Sequence, residues 1–357
     1  MHPTPPPPSP ETTQAMGDHP IVVRSMAIAA FLGTGARGPL YTPITCATWS
    51  DYVAHWGDFM ESGVLAHAVH GFFTNGGQQC VVVGVETASA ESVRRGLALL
   101  EKRTEVGLVA APGWSDPAIH EALLSHCEAV GPRMAILDPP RELPGRGVDS
   151  LERPRASQWG AFYFPWIVVH DGHRGDIAQP PSGHVAGIFA RVDRERGVHY
   201  APADAVVRGA LGVTWEVNQR EHDILHPKRI NAIRPFNKRG IRIWGANTLA
   251  ETGFRLIASK RTLDMVALSI QEGTRWVEEA PHSPETHRKV KVQVTEFLNR
   301  LWDDGLLPGG EGEGFMVRCD ASLQTPEVES AGAFVLEVAI SLNRPRRWIR
   351  FRVVHGG

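Results

Sequence analysis

The stretch from residue 80 to residue 137 leaves this chain little choice of fold. Cys80–Val85, Val106–Ala110 and Met134–Leu137 are apolar almost throughout. A strand covered on one face alternates apolar and polar residues. An unbroken apolar run marks a strand buried on both faces. Helical segments lie between the runs. One extends from about Ala90 to Lys102. The next is capped by Asp116, with Pro117 at its first position, and repeats Ile119, Leu123, Cys127 and Val130. Strand, helix, strand, helix, strand with short loops predicts a parallel, doubly wound sheet with right-handed crossovers.

The pattern extends both ways. Ile21–Leu32 reads as a small-residue strand that breaks at GTGARGP. Thr48 and Asp51 form a capping box for a helix through Trp56. Leu65–Phe73 is a second helix, stopped by Asn75, Gly76 and Gly77. Ala161–Val169 (AFYFPWIVV) reads as one strand, with Pro165 placing it at an edge or bulge. The loop His170–Pro181 follows. Pro180–Trp244 ties the two halves together. Gly183, Ala186, Gly187 and Ala190 suit a close helix contact. Val185, Ile188 and Phe189 lie on one side of that segment, with Arg191, Asp193, Arg194, Glu195 and Arg196 on the other. Ile230–Phe236 and Arg239–Trp244 flank Asn237-Lys238 as a hairpin. Two long helices come next, Thr262–Val277 and one opening at Ser283-Pro284 that carries Val290, Val294, Phe297, Leu298 and Leu301. A flexible loop, Leu307–Gly314, precedes the strands Phe315–Cys319, Ala333–Ser341 and Arg347–Val354. Residues 1–20, with MHPTPPPPSP, form a polyproline-type arm.

Composition narrows the function. A net charge of −2 over 357 residues leaves no basic excess to neutralise nucleic-acid phosphates, and it tolerates dense self-association. No apolar run approaches a membrane span. The four cysteines show no C-x-x-C spacing and read as small buried hydrophobes in a reducing compartment, so assembly in the cytoplasm is expected.

The candidate sites are weak one by one. Gly33–Gly38 (GTGARG) matches the dinucleotide fingerprint, but Pro39, Thr42 and Pro43 follow where a helix should start, so a turn is the better reading. His67 and His70 share a helix face without a helpful carboxylate. His170, Asp171, His173 and Asp176 are the best metal-like cluster, in a loop that is more often simply solvated. Ser182 lacks the G-x-S-x-G context of a nucleophile, and Asp138 ends a strand that the two following prolines also explain. The C-terminus, Arg344–Arg352 (RPRRWIRFR), is basic and aromatic. It could grip nucleic acid, but in a mildly acidic chain a terminal strand that pairs with another subunit is the stronger reading.

Taken together, AIAAFLGTGARGPLYTPI, HAVHGFFTNGGQQCVVVGV, LDPP, AFYFPWIVV, PPSGHVAGIFARVDRERGVHYAPA with RGALG, INAIRPFNKRGIRIWGANTL, GTRWV, FLNRLWDDGLL, FMVRCD and the final FRV resemble, in order and spacing, the contractile tail sheath proteins of phages and phage-like injection systems. The resemblance runs from about Ile21 to Val354, in a short form without large insertions. It implies an α/β fold: a mixed, largely parallel sheet flanked by helices, a smaller α+β C-terminal domain and an extended C-terminal strand. The domains it suggests are a Pro-rich arm (1–20), a subtilisin-like but non-proteolytic core (21–240), a C-terminal domain (241–343) and a linking strand (344–357). The strand residues expected to join subunits are Arg346, Arg347, Trp348, Ile349, Arg350, Phe351, Arg352 and Val353. The family's N-terminal extended strand has no counterpart here; proline-rich sequence replaces it. The resemblance further implies six-subunit rings stacked around an inner tube that contract to drive it through an envelope. Expected partners are other copies of the chain, the tube protein, and the baseplate and terminal cap proteins. No catalytic site, cofactor, metal, nucleic acid or membrane insertion is expected. The alternatives are a cytoplasmic α/β hydrolase-like enzyme built on Asp138, His170, His173 and Ser182, or a nucleic-acid-binding module using the basic tail.

Overall fold

The computed structural model describes residues 20–342 and 347–356, which form two compact units: residues 25–264, and the described residues from 265 onward together with residues 20–24. Residues 1–19, 343–346 and 357, including most of the proline arm and Arg346, lie outside the described residues.

In the first unit, β1 (Ile28–Gly33) and β2 (Ile44–Cys46) precede α1 (Trp49–Trp56) and α2 (Phe59–Thr74). Then come β3 (Cys80–Gly84), α3 (Ala90–Ala98), β4 (Val106–Ala110), α4 (Pro117–Val130), β5 (Met134–Leu137) and β6 (Gly160–Phe164). A small three-stranded sheet follows from β7 (Ile167–Asp171), β8 (Gly175–Gln179) and β9 (Ala210–Val213), with α5 (Ser182–Arg196) between β8 and β9. The unit continues through α6 (Gln219–Leu225), β10 (Ile230–Phe236) and β11 (Gly240–Trp244) into α7 (Ile257–Gly273). The main sheet has the order β11-β10-β6-β5-β4-β1-β3-β2 and is parallel except at its two ends.

Period two explains how one sheet serves two cores. Ala29 and Phe31 face a cluster with Val69, Phe72, Ile188 and Phe189 of α2 and α5. Ala30 and Leu32, one residue out of phase, face Val93, Leu97, Ile119 and Leu123 of α3 and α4. Thr48 and Asp51 make the capping box of α1, and Asp116 caps α4. The β10–β11 hairpin turns at Lys238, whose φ is 60°, followed by Gly240 at 74°.

α5 lies against α2 at backbone distance. A Cβ at Gly183 would stand 2.2 Å from the Ala68 carbonyl oxygen, and one at Gly187 would stand 2.3 Å from that of Phe72. The expected polar side of α5 needs correction at Arg191, which is buried. Its guanidinium donates to the carbonyls of Asn75 (3.1 Å) and Val206 (2.6 Å), so backbone dipoles stand in for part of the water it loses.

Other expectations shift for physical reasons. AFYFPWIVV is two strands in two sheets. Pro165 has no N–H for a ladder, and the chain changes sheet there, leaving β6 central between β5 and β10 rather than at an edge. The expected loop after His170 is a hairpin, β7–β8. The first unit continues past residue 240. Asn231 clamps the chain beyond β11, donating to the Asn247 carbonyl (2.8 Å) and accepting from its N–H (2.7 Å), and Arg261 donates two hydrogen bonds to Asp193. These bonds hold residues 245–264 in the first unit.

The second unit contains the end of α7, α8 (Pro284–Asp303), β12 (Phe315–Arg318), α9 (Pro326–Ser330), β13 (Phe334–Ser341) and β14 (Trp348–His355). Ser283 caps α8 by accepting from the Thr286 N–H, and Val290, Val294, Phe297, Leu298 and Leu301 are buried as their spacing predicts. Ile21–Leu32 is only partly strand because its first residues belong to this unit. Arg300 donates to the Ile21 carbonyl (2.7 Å), and Arg24 pairs with Glu272 (2.7 Å). No helix among the described residues is long and apolar enough to cross a membrane.

Candidate subunit-linking site

β12, β13 and β14 form an antiparallel sheet with β13 in the middle, so β14 is an edge strand. Its register runs from Ser341 opposite Trp348 to Phe334 opposite His355. Along β14, Val353 and His355 are buried, whereas Arg350, Arg352 and Val354 are exposed. Trp348, Ile349 and Phe351 are half-buried, and Arg347, just before the strand, is exposed. Seven of the eight expected linking residues are therefore described, and six, Trp348–Val353, lie in one edge strand.

On the exposed face, Glu337 of β13 stands between Arg318 of β12 and Arg352 of β14, at 3.4 Å from each. Each such surface pair contributes little, about 0.2–1 kcal/mol, but together they fix the register of three strands. Arg350 faces Ala339 instead.

The far end of β14 is fastened by His355. Its Nε2 lies 2.8 Å from the Thr274 hydroxyl, which itself donates to the Ile270 carbonyl (2.7 Å). The hydroxyl proton being used there, His355 must donate through Nε2, which leaves Nδ1 toward Glu278 at 3.4 Å. Burial lowers the His355 pKa below the ordinary 6.5, against an opposing pull from Glu278. An imidazole whose folded pKa is depressed contributes full stability above the unfolded value and loses it as pH falls. Replacement His355→Ala should thus cost about 1–2 kcal/mol. In the parent, amide exchange at the end of β14 should quicken below pH 6.5. Equal exchange at pH 5 and pH 7.5, after correction for intrinsic rates, would contradict this.

The residues weighed for catalysis or metal binding are placed otherwise. Ser182 and Asp138 do meet. Asp138 accepts from the Ser182 hydroxyl (2.6 Å) and N–H (2.9 Å) and from the Gly113 N–H (2.9 Å). The Ser182 proton goes to a carboxylate rather than an imidazole, and both residues are buried. His170 is an exposed hairpin residue bound to Asp176 (2.9 Å), and His173 donates its backbone N–H to Asp171. Asp138 and Ser182 are a strand-to-helix fastening, not half of a triad. His67, expected beside His70, instead bonds the buried Asp171 at 2.9 Å under the ring of Phe59. His70 packs edge-on against Trp49 and Phe59. Gly33–Ala36 line an open cleft of about 500 Å³ with Met60, Val64 and Trp114, but no helix begins between Gly33 and Trp49. No local pattern announces the His67–Asp171 bond, whose partners are 104 residues apart.

Burial pushes the Asp138 carboxyl up to about 6, against its three hydrogen bonds. The folded state therefore keeps a proton that the unfolded chain, at 3.8, has released. Stability from this group should fall as pH rises from about 4 to about 6, by ~3 kcal/mol. Denaturation of the parent and of Asp138→Asn across that range reads the difference. Parallel pH curves would refute it.

Residues 86–249 match the central domain of the phage tail sheath protein family. A protein of Pseudomonas aeruginosa assigned as a prophage major tail sheath protein is 26% identical over 263 residues, 69% of this chain. The match spans 66% of that relative's length. A chain of the anti-feeding prophage baseplate structure is 25% identical and superimposes with a TM-score of 0.77, covering 93% of this chain and 94% of its own. The contracted sheath of an extracellular contractile injection system, the PVC sheath complex, shares the fold at 24% identity and a TM-score of 0.78, over 97% of this chain and 96% of its own. Residues 86–249 are thus similar to the central domain of the tail sheath proteins, and nearly the whole chain shares its fold with sheath proteins of contractile injection systems.

Proposed function

We propose that this protein polymerises as stacked six-subunit rings around an inner tube and contracts to drive that tube through a target envelope. Its partners are then further copies of itself, the tube protein, and the baseplate and terminal cap proteins, with assembly in the bacterial cytoplasm and no catalytic step. The observation that carries the reading is a fold shared over nearly the whole chain with proteins of six-fold and contracted particles, ending in an edge strand. An exposed strand edge is a liability in a monomer and a connector in a polymer. A head-to-tail contact that does not close builds a helical filament. Backbone pairing survives rotation of the bodies it joins, so the strand can tether subunits while other faces repack.

Modest energies suffice. Moving an equilibrium from 1:99 to 99:1 takes about 5.5 kcal/mol, so a gain of ~1 kcal/mol per subunit, summed over a linked sheath, makes contraction one-way. Electron microscopy of the purified protein is the test. Rings, tubes or filaments are expected, and a strictly monomeric protein at every concentration would overturn the proposal.

A further inference from the structure

Cys46 and Cys80 stand directly opposite each other across the antiparallel pair β2–β3. Both are fully buried and both are free thiols. Opposed residues in an antiparallel pair have Cα atoms about 4.5 or 5.5 Å apart, and a disulfide accepts roughly 4.4–6.8 Å. The side chains are already in reach of one another. The hydrogen bond with Cys46, and then burial, push the Cys80 thiol well above its usual value, and the Asp51 charge adds to this. Cys127 in α4 and Cys319 after β12 lie on other elements, each thiol pushed up to about 12 by burial.

We propose that Cys46 and Cys80 are a latent cross-strand disulfide that closes when the protein meets a small-molecule disulfide. One protein thiol loses its proton and attacks a sulfur of the reagent, releasing one small thiol and leaving a mixed disulfide. The second protein thiol, deprotonated in turn, attacks the protein sulfur of that intermediate. The Cys46–Cys80 bond forms and the second small thiol leaves. The reagent gains two electrons and the protein loses two hydrogens. β2 is three residues long and ends the sheet, so fraying of that strand admits the reagent without global unfolding. The raised Cys80 pKa makes the thiolate scarce at neutral pH, so the reaction is slow there and faster in mild alkali. Once closed, the bond fastens the edge strand to β3 and turns the segment carrying α1 and α2 into a covalent loop. The inference is independent of the sheath reading.

The test incubates the full chain with oxidised glutathione at pH 8.5 and maps its peptides without reduction. The expected result is loss of two hydrogens, joined peptides containing Cys46 and Cys80, and Cys127 and Cys319 still open to alkylation. The thermal midpoint should rise by several degrees and return on reduction. Cys46→Ser should abolish the cross-link, whereas Cys127→Ser should leave it. If Cys46→Ser does not fold, the parent's peptide map decides alone. Separate glutathione adducts on the two cysteines would overturn the proposal. So would four free thiols under conditions where the amides of β2 exchange.

Discussion

Arg350→Pro should give a protein that melts like its parent and no longer polymerises at the parent's concentration. The Ser341 N–H donates to the Gly314 carbonyl (2.8 Å), on the β12 side of β13. Val335 keeps the same phase, exchanging both backbone bonds with the Gln324 side chain. Backbone groups alternate in direction along a strand, so Ile340, Val338 and Leu336 point theirs toward β14. By register, Ile349, Phe351 and Val353 answer them. Trp348, Arg350, Arg352 and Val354 then turn their backbone groups to the free edge. Proline at 350 removes one outward N–H, sets a ring in the path of an added strand, and spares the bonds to β13. The lost bond alone is worth about 1 kcal/mol, and with the steric block the critical concentration should rise at least tenfold. Sedimentation and microscopy read it, with Arg350→Ala as the control that keeps assembly. A proline variant that polymerises like the parent would end the edge-strand account. Truncation before Arg344 is a blunter test, because it also uncovers the apolar face of β13, including Phe334, Val338 and Ile340.

Gly183→Val should be among the most damaging single changes in the first unit. The atom that an added Cβ would strike is the backbone oxygen of Ala68, 2.2 Å away, with the Ala68 Cα at 2.5 Å. A flexible side chain could swing aside, but a helix backbone cannot. α5 would have to move outward from α2 by more than an ångström, opening gaps around Val69, Phe72, Val185 and Phe189, which share one cluster. We expect a loss of about 5 kcal/mol, a fall of roughly 10–20 °C in the melting midpoint, or no folded protein. Gly183→Ala should follow the same course less severely. Melting within a few degrees of the parent for the valine variant would mean that the two helices are not held at backbone distance.

Local chemistry made most of the elements legible. Continuous apolar runs, capping residues such as Thr48, Asp116 and Ser283, and the Asn237-Lys238 turn act within a few residues of themselves, so strands β3 to β5, helices α1, α4 and α8 and the β10–β11 hairpin were readable. Small residues in α5 also announced a close contact without naming its partner. Where the reading slipped, a distant group was responsible. Arg300 and Glu272 draw residues 21–24 away from β1.

The sequence by itself determined the doubly wound sheet, the helix boundaries set by caps, and the basic, aromatic character of the final strand, because each follows from periodicity and from hydrogen bonds between near neighbours. Only the tertiary structure decided that Ser182 gives its proton to Asp138, that His67 meets Asp171, and that Cys46 faces Cys80. Those pairings join residues separated by 44, 104 and 34 positions, and a side chain's partner at such range is set by strand register and helix packing, which no local pattern encodes.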